Sequence, residues 1–348
     1  MQKEVYPVSE SLQHYLRLYG RDIQLPITYK ELFHYQYTNA LKDEKGKHTH
    51  WERAVYQKDL LATLQQKLIV VYTLLKKENA IVTKNLQLQS IDFCEFANSM
   101  PFRINILHTN NNTTGCFYIK DADASRIYGL ELEQLLSTNN INFLYHQNTL
   151  VEEHIEGTPG DIFLSSVDHL TNTEKKLLAT EFVRFNERCF TRLLGDMRSY
   201  NFVVVKNENN HQHPFHLKSI DFDQQCYEGK LNLYLPQFYK ENYGYVQMTM
   251  QLLKDDTIEQ IRTIEKQQMA KAVIQHRRQL TALLQAMMKE EISENYKVVS
   301  LRKELNAYFN TRHFTKCKTM GAIVKQQLRQ LLHPYLVAAN TGVQPLTQ

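Results

Sequence analysis

Between Leu86 and Lys120 lie three short segments, LQLQSIDFCEF, PFRINIL and GCFYIK, each rich in branched and aromatic residues. Turn-forming clusters, ANSM and HTNNNTTG, divide them. Short apolar runs bounded by Gly, Asn, Ser and Thr are the pattern of strands joined by tight connections. They read as three antiparallel strands. DASRIYGLELEQLLST then reads as a helix, and INFLYH and LVEEHI as two further strands. A meander of three strands, a helix and two more strands restricts the fold to the α+β class, with a small antiparallel sheet.

The flanks have a different texture. Residues 1 to about 80 read as helical. In DLLATLQQKLIVVYTLLKK, the residues Leu61, Leu64, Leu68, Val71 and Leu75 share one face of a helix. Asp59 is placed to cap its start, and DEKGKH (Asp43 to His48) is a charged loop before it. After EGTPGD (Glu156 to Asp161) a helical pattern returns through TEKKLLATEFVRFNERCFTRLL. Two strands follow, one from Phe202 to Lys206 and one in FHLKSIDF, separated by NENNHQHP. From about Gln237 onward the chain is nearly all helical, with Ile258, Ile261, Met269, Val273, Leu280, Leu284 and Met287 marking one long amphipathic stretch. The expected organisation is a helical extension over 1–84, a sheet-bearing unit over 85–156 and a mostly helical unit over 157–348.

A chain of 348 residues with 43% apolar content has ample material for a buried core and a length prior of about two domains. The net charge of +4 is mild and does not point to nucleic acid. Five cysteines are scattered without a Cys-x-x-Cys pair, which argues against a zinc site or a disulfide framework and suits a reduced, cytoplasmic setting. The N-terminus lacks an apolar stretch of signal-peptide length, and LIVVYTLL is too short to cross a bilayer. His211, His213 and His216 flank an apparent hairpin loop and read as solvated. The basic stretch from Asn295 to His333 reads as a solvated helix face, the alternative being a surface that draws an anionic substrate or partner.

LLGDMRSYNFVVV, from Leu193 to Val205, is the segment with chemistry in it. Gly, Asp, Ser and Asn are turn residues, but their surroundings add a second meaning. Lys120 ends a strand. A helix with Glu131 and Glu133 follows, then Asp196 with Asn201, then Asp221 at the end of a later strand, in SIDFDQQ. Phosphoryl transfer needs this set of groups: a cation for the phosphates, a carboxylate to hold that cation, hard oxygen ligands for magnesium, and a carboxylate to orient the attacking hydroxyl. Lys120 suits the first role and Glu131 or Glu133 the second, with Glu131 preferred because it shares a face with Ile127 and Leu135. Asn201 and Asp221 suit the metal. Asp196 suits the nucleophile, and Arg198 is placed to offset charge on the transferred group.

FYIK, LVEEHIEGTPGDIF, GDMRSYN and SIDFD together resemble the protein-kinase-like superfamily, most closely its aminoglycoside and choline phosphotransferase branch. The resemblance spans roughly residues 85 to 255. It implies a two-lobed fold, a small antiparallel-sheet lobe and a larger helical lobe, with ATP between them. It matches Lys120 to the phosphate-binding lysine, Asp196 to the catalytic aspartate, and Asn201 and Asp221 to the magnesium ligands. Glu153, His154 and Ile155 match the hinge that meets adenine, and Asp161 matches the acidic residue that reaches the ribose. The implied activity is an ATP- and magnesium-dependent transfer to a hydroxyl acceptor, more in keeping with a small molecule than with a protein. Two positions depart from the pattern. Leu194 stands where the family has His, and the turn CEFANSMPF has no glycine, while Pro101 lacks the N–H that such a turn would offer. These departures suit the alternative of a catalytically silent kinase-like module that binds a partner or a nucleotide.

Overall fold

The computed structural model describes residues 3–43, 45–77, 84–139, 141–207, 209–210 and 212–341. The chain divides into two compact units. One comprises Met1–Asp123 and Ile141–His154, the other Ala124–Asn140 and Ile155–Gln348. The protein is α+β, with helices over about half of the chain and an antiparallel sheet of seven strands. No helix among the described residues is long and apolar enough to cross a membrane.

The first unit is built on that sheet. After helix α1 (Glu10–Leu18) its strands are β1 (Tyr37–Lys42), β2 (His48–Val55), β3 (Leu86–Phe93), β4 (Phe102–His108), β5 (Thr113–Asp121), β6 (Phe143–His146) and β7 (Thr149–Glu153), with α2 (Lys58–Lys76) between β2 and β3. The spatial order is β1-β2-β3-β4-β5-β7-β6, antiparallel throughout. The central strands alternate as a sheet with one apolar face should. Phe102, Ile104 and Ile106 of β4 are fully buried, as are Phe117 and Ile119 of β5. They pack in one core with Leu64, Leu68, Val71, Tyr72 and Leu75 of α2. Burying a side chain of this size is worth about 1.5–3 kcal/mol, so this seam holds the unit together.

Three expectations for this region change. Residues 1–84 are not purely helical, because β1 and β2 extend the sheet by two strands. In the charged stretch between them, Asp43 Oδ1 accepts the Lys45 and Lys47 N–H groups at 3.0 and 2.9 Å. Every residue of β1 is exposed or half-buried, so the apolar alternation that betrays a strand is missing. Asp59 does not cap α2; the helix begins at Lys58 with Gln57 before it, and Asp59 lies in the first turn. Leu61, expected on the buried face, is 41% exposed.

The second unit begins with α3 (Ala124–Leu136). It continues through β8 (Thr158–Pro159), α4 (Gly160–Leu164), α5 (Asn172–Arg192), β9 (Phe202–Lys206), β10 (Phe215–Ser219), α6 (Tyr243–Leu252), α7 (Asp255–Gln275), α8 (Arg277–Met287), α9 (Asn295–Tyr308) and α10 (Met320–Thr341). β8, β9 and β10 form a small sheet in the order β10-β9-β8. Helix α5 is its axis. A capping box of Thr171 and Glu174 starts it, and α6, α7, α10 and β10 pack around it. Phe182 of α5 stacks on Tyr245 of α6 with centroids 5.1 Å apart. Glycine is required at Gly160, where a Cβ would come within 2.4 Å of the Phe202 ring and 2.6 Å of the Ser199 carbonyl oxygen.

The helix read as DASRIYGLELEQLLST exists, but it belongs to this unit, whereas the sequence boundaries place it with the sheet. It packs on α7 and α8, and nearly all its side chains are buried. The single amphipathic stretch expected beyond Gln237 divides into α7 and α8 at His276. The last boundary between the units falls between His154 and Ile155.

Candidate functional site

Asp196 lies in the loop between α5 and β9, and Asp221 lies just beyond β10. Backbone bonds tie the two segments together. The Cys226 N–H donates to Leu193 O at 2.9 Å, Gly195 N–H to Gln224 O at 3.2 Å, and Ile220 N–H to Asn201 O at 3.0 Å. The Gln225 amide adds a bond to Arg192 O at 2.6 Å. Leu194 is fully buried and forms a β-bridge with Gln225.

At Asp196 the backbone turns left-handed, with φ of +57°, a conformation that costs a residue with a Cβ. The surroundings compensate. Its N–H donates to Leu233 O at 3.2 Å and to Tyr239 Oη at 3.0 Å, while the buried Asn242 amide bonds Met197 O at 2.8 Å and Pro236 O at 2.7 Å. Asn201 Nδ2 donates to Asp196 O at 2.7 Å and reaches its Oδ2 at 3.4 Å. The five-residue spacing of Asp and Asn is thus a closed loop, the second side chain bonding the first residue's carbonyl.

The Asp196 carboxylate is unusual in its titration. Burial raises its pKa, the charge of Arg198 opposes this, and Asp221, Glu241 and Glu228 raise it further, to about 6. Arg198 Nε lies 3.1 Å from Asp196 Oδ1 as an ion pair, and its guanidinium continues to Tyr200 Oη at 2.7 Å and over the Tyr239 ring. A carboxyl poised near neutrality, in a loop that a neighbouring arginine and amide hold fixed, is suited to taking a proton.

Asp221 is held in a way the sequence did not reveal. Arg126, in the first turn of α3, donates through Nη1 to Asp221 Oδ1 at 2.9 Å and to Asp223 Oδ1 at 2.7 Å. The Asp223 N–H also donates to Asp221 Oδ1, at 3.1 Å. Helix α3 approaches closely here. Ser125 Oγ donates to Gln225 O at 2.7 Å, and a Cβ on Gly129 would stand 2.9 Å from Phe222 Cβ. Asp221 and Asn201 supply the hard oxygen donors that magnesium prefers, so the donor chemistry fits, although Arg126 already engages one oxygen of Asp221. Among the described residues no three His, Cys, Asp or Glu side chains gather as a metal cluster.

The other expected residues sit as follows. Lys120 of β5 is buried, and its ammonium donates to Glu152 Oε2 on β7 at 2.9 Å. Glu131 is buried in α3, where Gln279 donates to its Oε2 at 3.2 Å. Glu133 is taken by Arg192 as a fully buried ion pair, with Asn139 adding a bond at 2.6 Å. Glu153 pairs with Lys76 and accepts from Asn142 at 2.8 Å. His154 is exposed and meets Tyr118 Oη at 3.0 Å, Ile155 is half-buried, and Asp161 is exposed in α4.

His211 lies outside the described residues. His216 does not belong to a solvated loop, because it sits on β10 between Glu181 (3.0 Å) and Asn139 (2.7 Å). Glu181 and Arg188 form a buried pair of α5, with Glu265 as a further partner. In the basic stretch, Lys297 covers the Tyr227 ring and pairs with Glu294, and Arg302 bonds Cys317 O, so two of its charges serve packing.

No protein-family model matches the chain, and no curated protein matches it.

Proposed function

We propose that the protein is an ATP- and magnesium-dependent phosphotransferase of the protein-kinase-like kind, acting on a hydroxyl of a small molecule. In this reading the two units correspond to the two lobes of that fold. The observation that carries it is the joining of Asp196, Arg198, Asn201 and Asp221 within one stitched pair of loops, together with the rise of Asp196 to about 6. Three residue types that phosphoryl transfer needs are then in one place and in the family's chain order.

Asp196 Oδ2, which receives one long bond from Asn201, takes the proton of the acceptor hydroxyl. Arg198 restrains the same carboxylate through Oδ1 and offsets negative charge beside it. Asp221 and Asn201 would hold magnesium, which neutralises phosphate charge when bound. Lys120 is the cation assigned to the phosphates, held in its own unit by Glu152.

One observation favours the second reading, a catalytically silent module: the turn between β3 and β4 carries Met100 at φ +41°, with its carbonyl clamped by Tyr29 Oη at 2.8 Å. A glycine-free turn of this kind presents fewer N–H groups to phosphate. Melting curves with ATP, with and without magnesium, separate binding from its absence. The proposed function expects a magnesium-dependent rise through mass action that Asp221→Asn abolishes, each protein being compared with its own unliganded midpoint because the substitution also takes a carboxylate from the buried Arg126. Equal stabilisation of parent and variant removes Asp221 from the metal.

A further inference from the structure

We infer that Arg126 is a resident cation of the site, and that it limits the protein to a single divalent cation by taking Asp223 out of the ligand set. This rests on the phosphotransferase reading for the identity of the metal. The Arg126 side chain is 3% exposed, and the Asp223 side chain 10%. Nη1 bridges Oδ1 of both carboxylates, at 2.9 and 2.7 Å, and Nη2 reaches Ile220 O at 3.4 Å. A guanidinium in this position fills the space where a metal bridging the two aspartates would stand. It is fixed from behind, because Ser125 Oγ bonds Asp223 O and Gln225 O and Gly129 lies against the Phe222 and Gln225 side chains.

A metal ion taking its place would strip the buried Arg126 guanidinium of these two carboxylates, so it does not displace the guanidinium readily. Arg126 also places a positive charge directly against any divalent cation that approaches Asp221 and Asp223. Asp221, half-exposed, remains the carboxylate for that metal, with Asn201 beside it.

The test uses Mn2+ without any nucleotide, bound Mn2+ being counted from the loss of the free-ion paramagnetic signal. The parent is expected to bind Mn2+ weakly, and Arg126→Gln to bind it at least ~10-fold more tightly, since removing a neighbouring positive charge is worth several kcal/mol at short range even in a high effective dielectric. Arg126→Lys keeps the charge and should stay within about threefold of the parent. Equal affinity of parent and Arg126→Gln overturns the inference. Should the Gln variant not fold, parent crystals soaked in MnCl2 decide. Arg126 still on both carboxylates supports the inference, and Mn2+ bridging Asp221 and Asp223 with Arg126 displaced overturns it. Both arms omit ATP, so a protein that fails to bind ATP refutes the proposed function without touching this result.

Discussion

Asp196→Asn should stabilise the protein at neutral pH. The folded environment raises the pKa of this carboxyl from 3.8 to about 6, so the ionised form is disfavoured in the folded state relative to the unfolded one. At 1.36 kcal/mol per unit the ceiling is about 3 kcal/mol. The side chain is 30% exposed, so solvent screens it, and the Arg198 pair is lost on substitution; both reduce the gain to about 1 kcal/mol. Asn also tolerates the left-handed backbone at φ +57° better than most residues do. The sign follows from linkage. The parent's penalty is absent below pH 3.8, grows as pH rises, and is complete above about 6. Thermal unfolding of both proteins at pH 4 and pH 7.5 measures this. The Asp196→Asn variant should melt higher than the parent at pH 7.5, with the advantage shrinking toward pH 4. A variant less stable at pH 7.5, or an offset independent of pH, would refute the reasoning. Functional sites commonly trade stability for reactivity in this way.

Two further predictions concern the supporting structure. Glu181→Gln leaves the buried Arg188 with Glu265 as its carboxylate partner among the described residues, and should cost about 3 kcal/mol by denaturant unfolding. Burial alone would raise Glu181, but Arg188 and His216 overcome this and hold it at about 2. Its contribution is therefore present above the ordinary value of 4.5 and is lost as pH falls through about 2, so the deficit of the variant should narrow on acidification across that window. Gly129→Ala places a Cβ 2.9 Å from Phe222 Cβ. It should cost about 1–3 kcal/mol through overpacking and weaken any metal-dependent ligand stabilisation by shifting the Asp221–Asp223 turn; an unchanged melting temperature contradicts the close packing.

The strands β3 to β7, β9 and β10 were legible because short runs of branched and aromatic residues stand between turn residues. β1 and β2 were not, because an edge hairpin with exposed side chains has no apolar face to display. The order of Lys120, Asp196, Asn201 and Asp221 was legible as a pattern of residue types along the chain. Arg126 was not, because a buried arginine in an apolar helix turn looks in sequence like any surface arginine; only the fold brings it to Asp221 and Asp223. A signal existed in IDFD itself, since two carboxylates two residues apart at the end of an apolar strand call for a countercharge. Glu131 and Glu133 stand two apart on a helix buried on nearly all sides, where periodicity has no polar face to report. In the fold Glu133 pairs with Arg192 and Glu131 accepts from Gln279.

The most direct test of the central claim is transfer of labelled γ-phosphate from ATP to a pool of small hydroxyl compounds, with and without magnesium. The account predicts magnesium-dependent labelling of an acceptor by the parent, a rate that rises with pH through about 6, and a loss on the order of a hundredfold or more in Asp196→Ala with nucleotide binding retained. Labelling that Asp196→Ala leaves unchanged, or a parent that neither binds ATP nor transfers from it, would contradict the account.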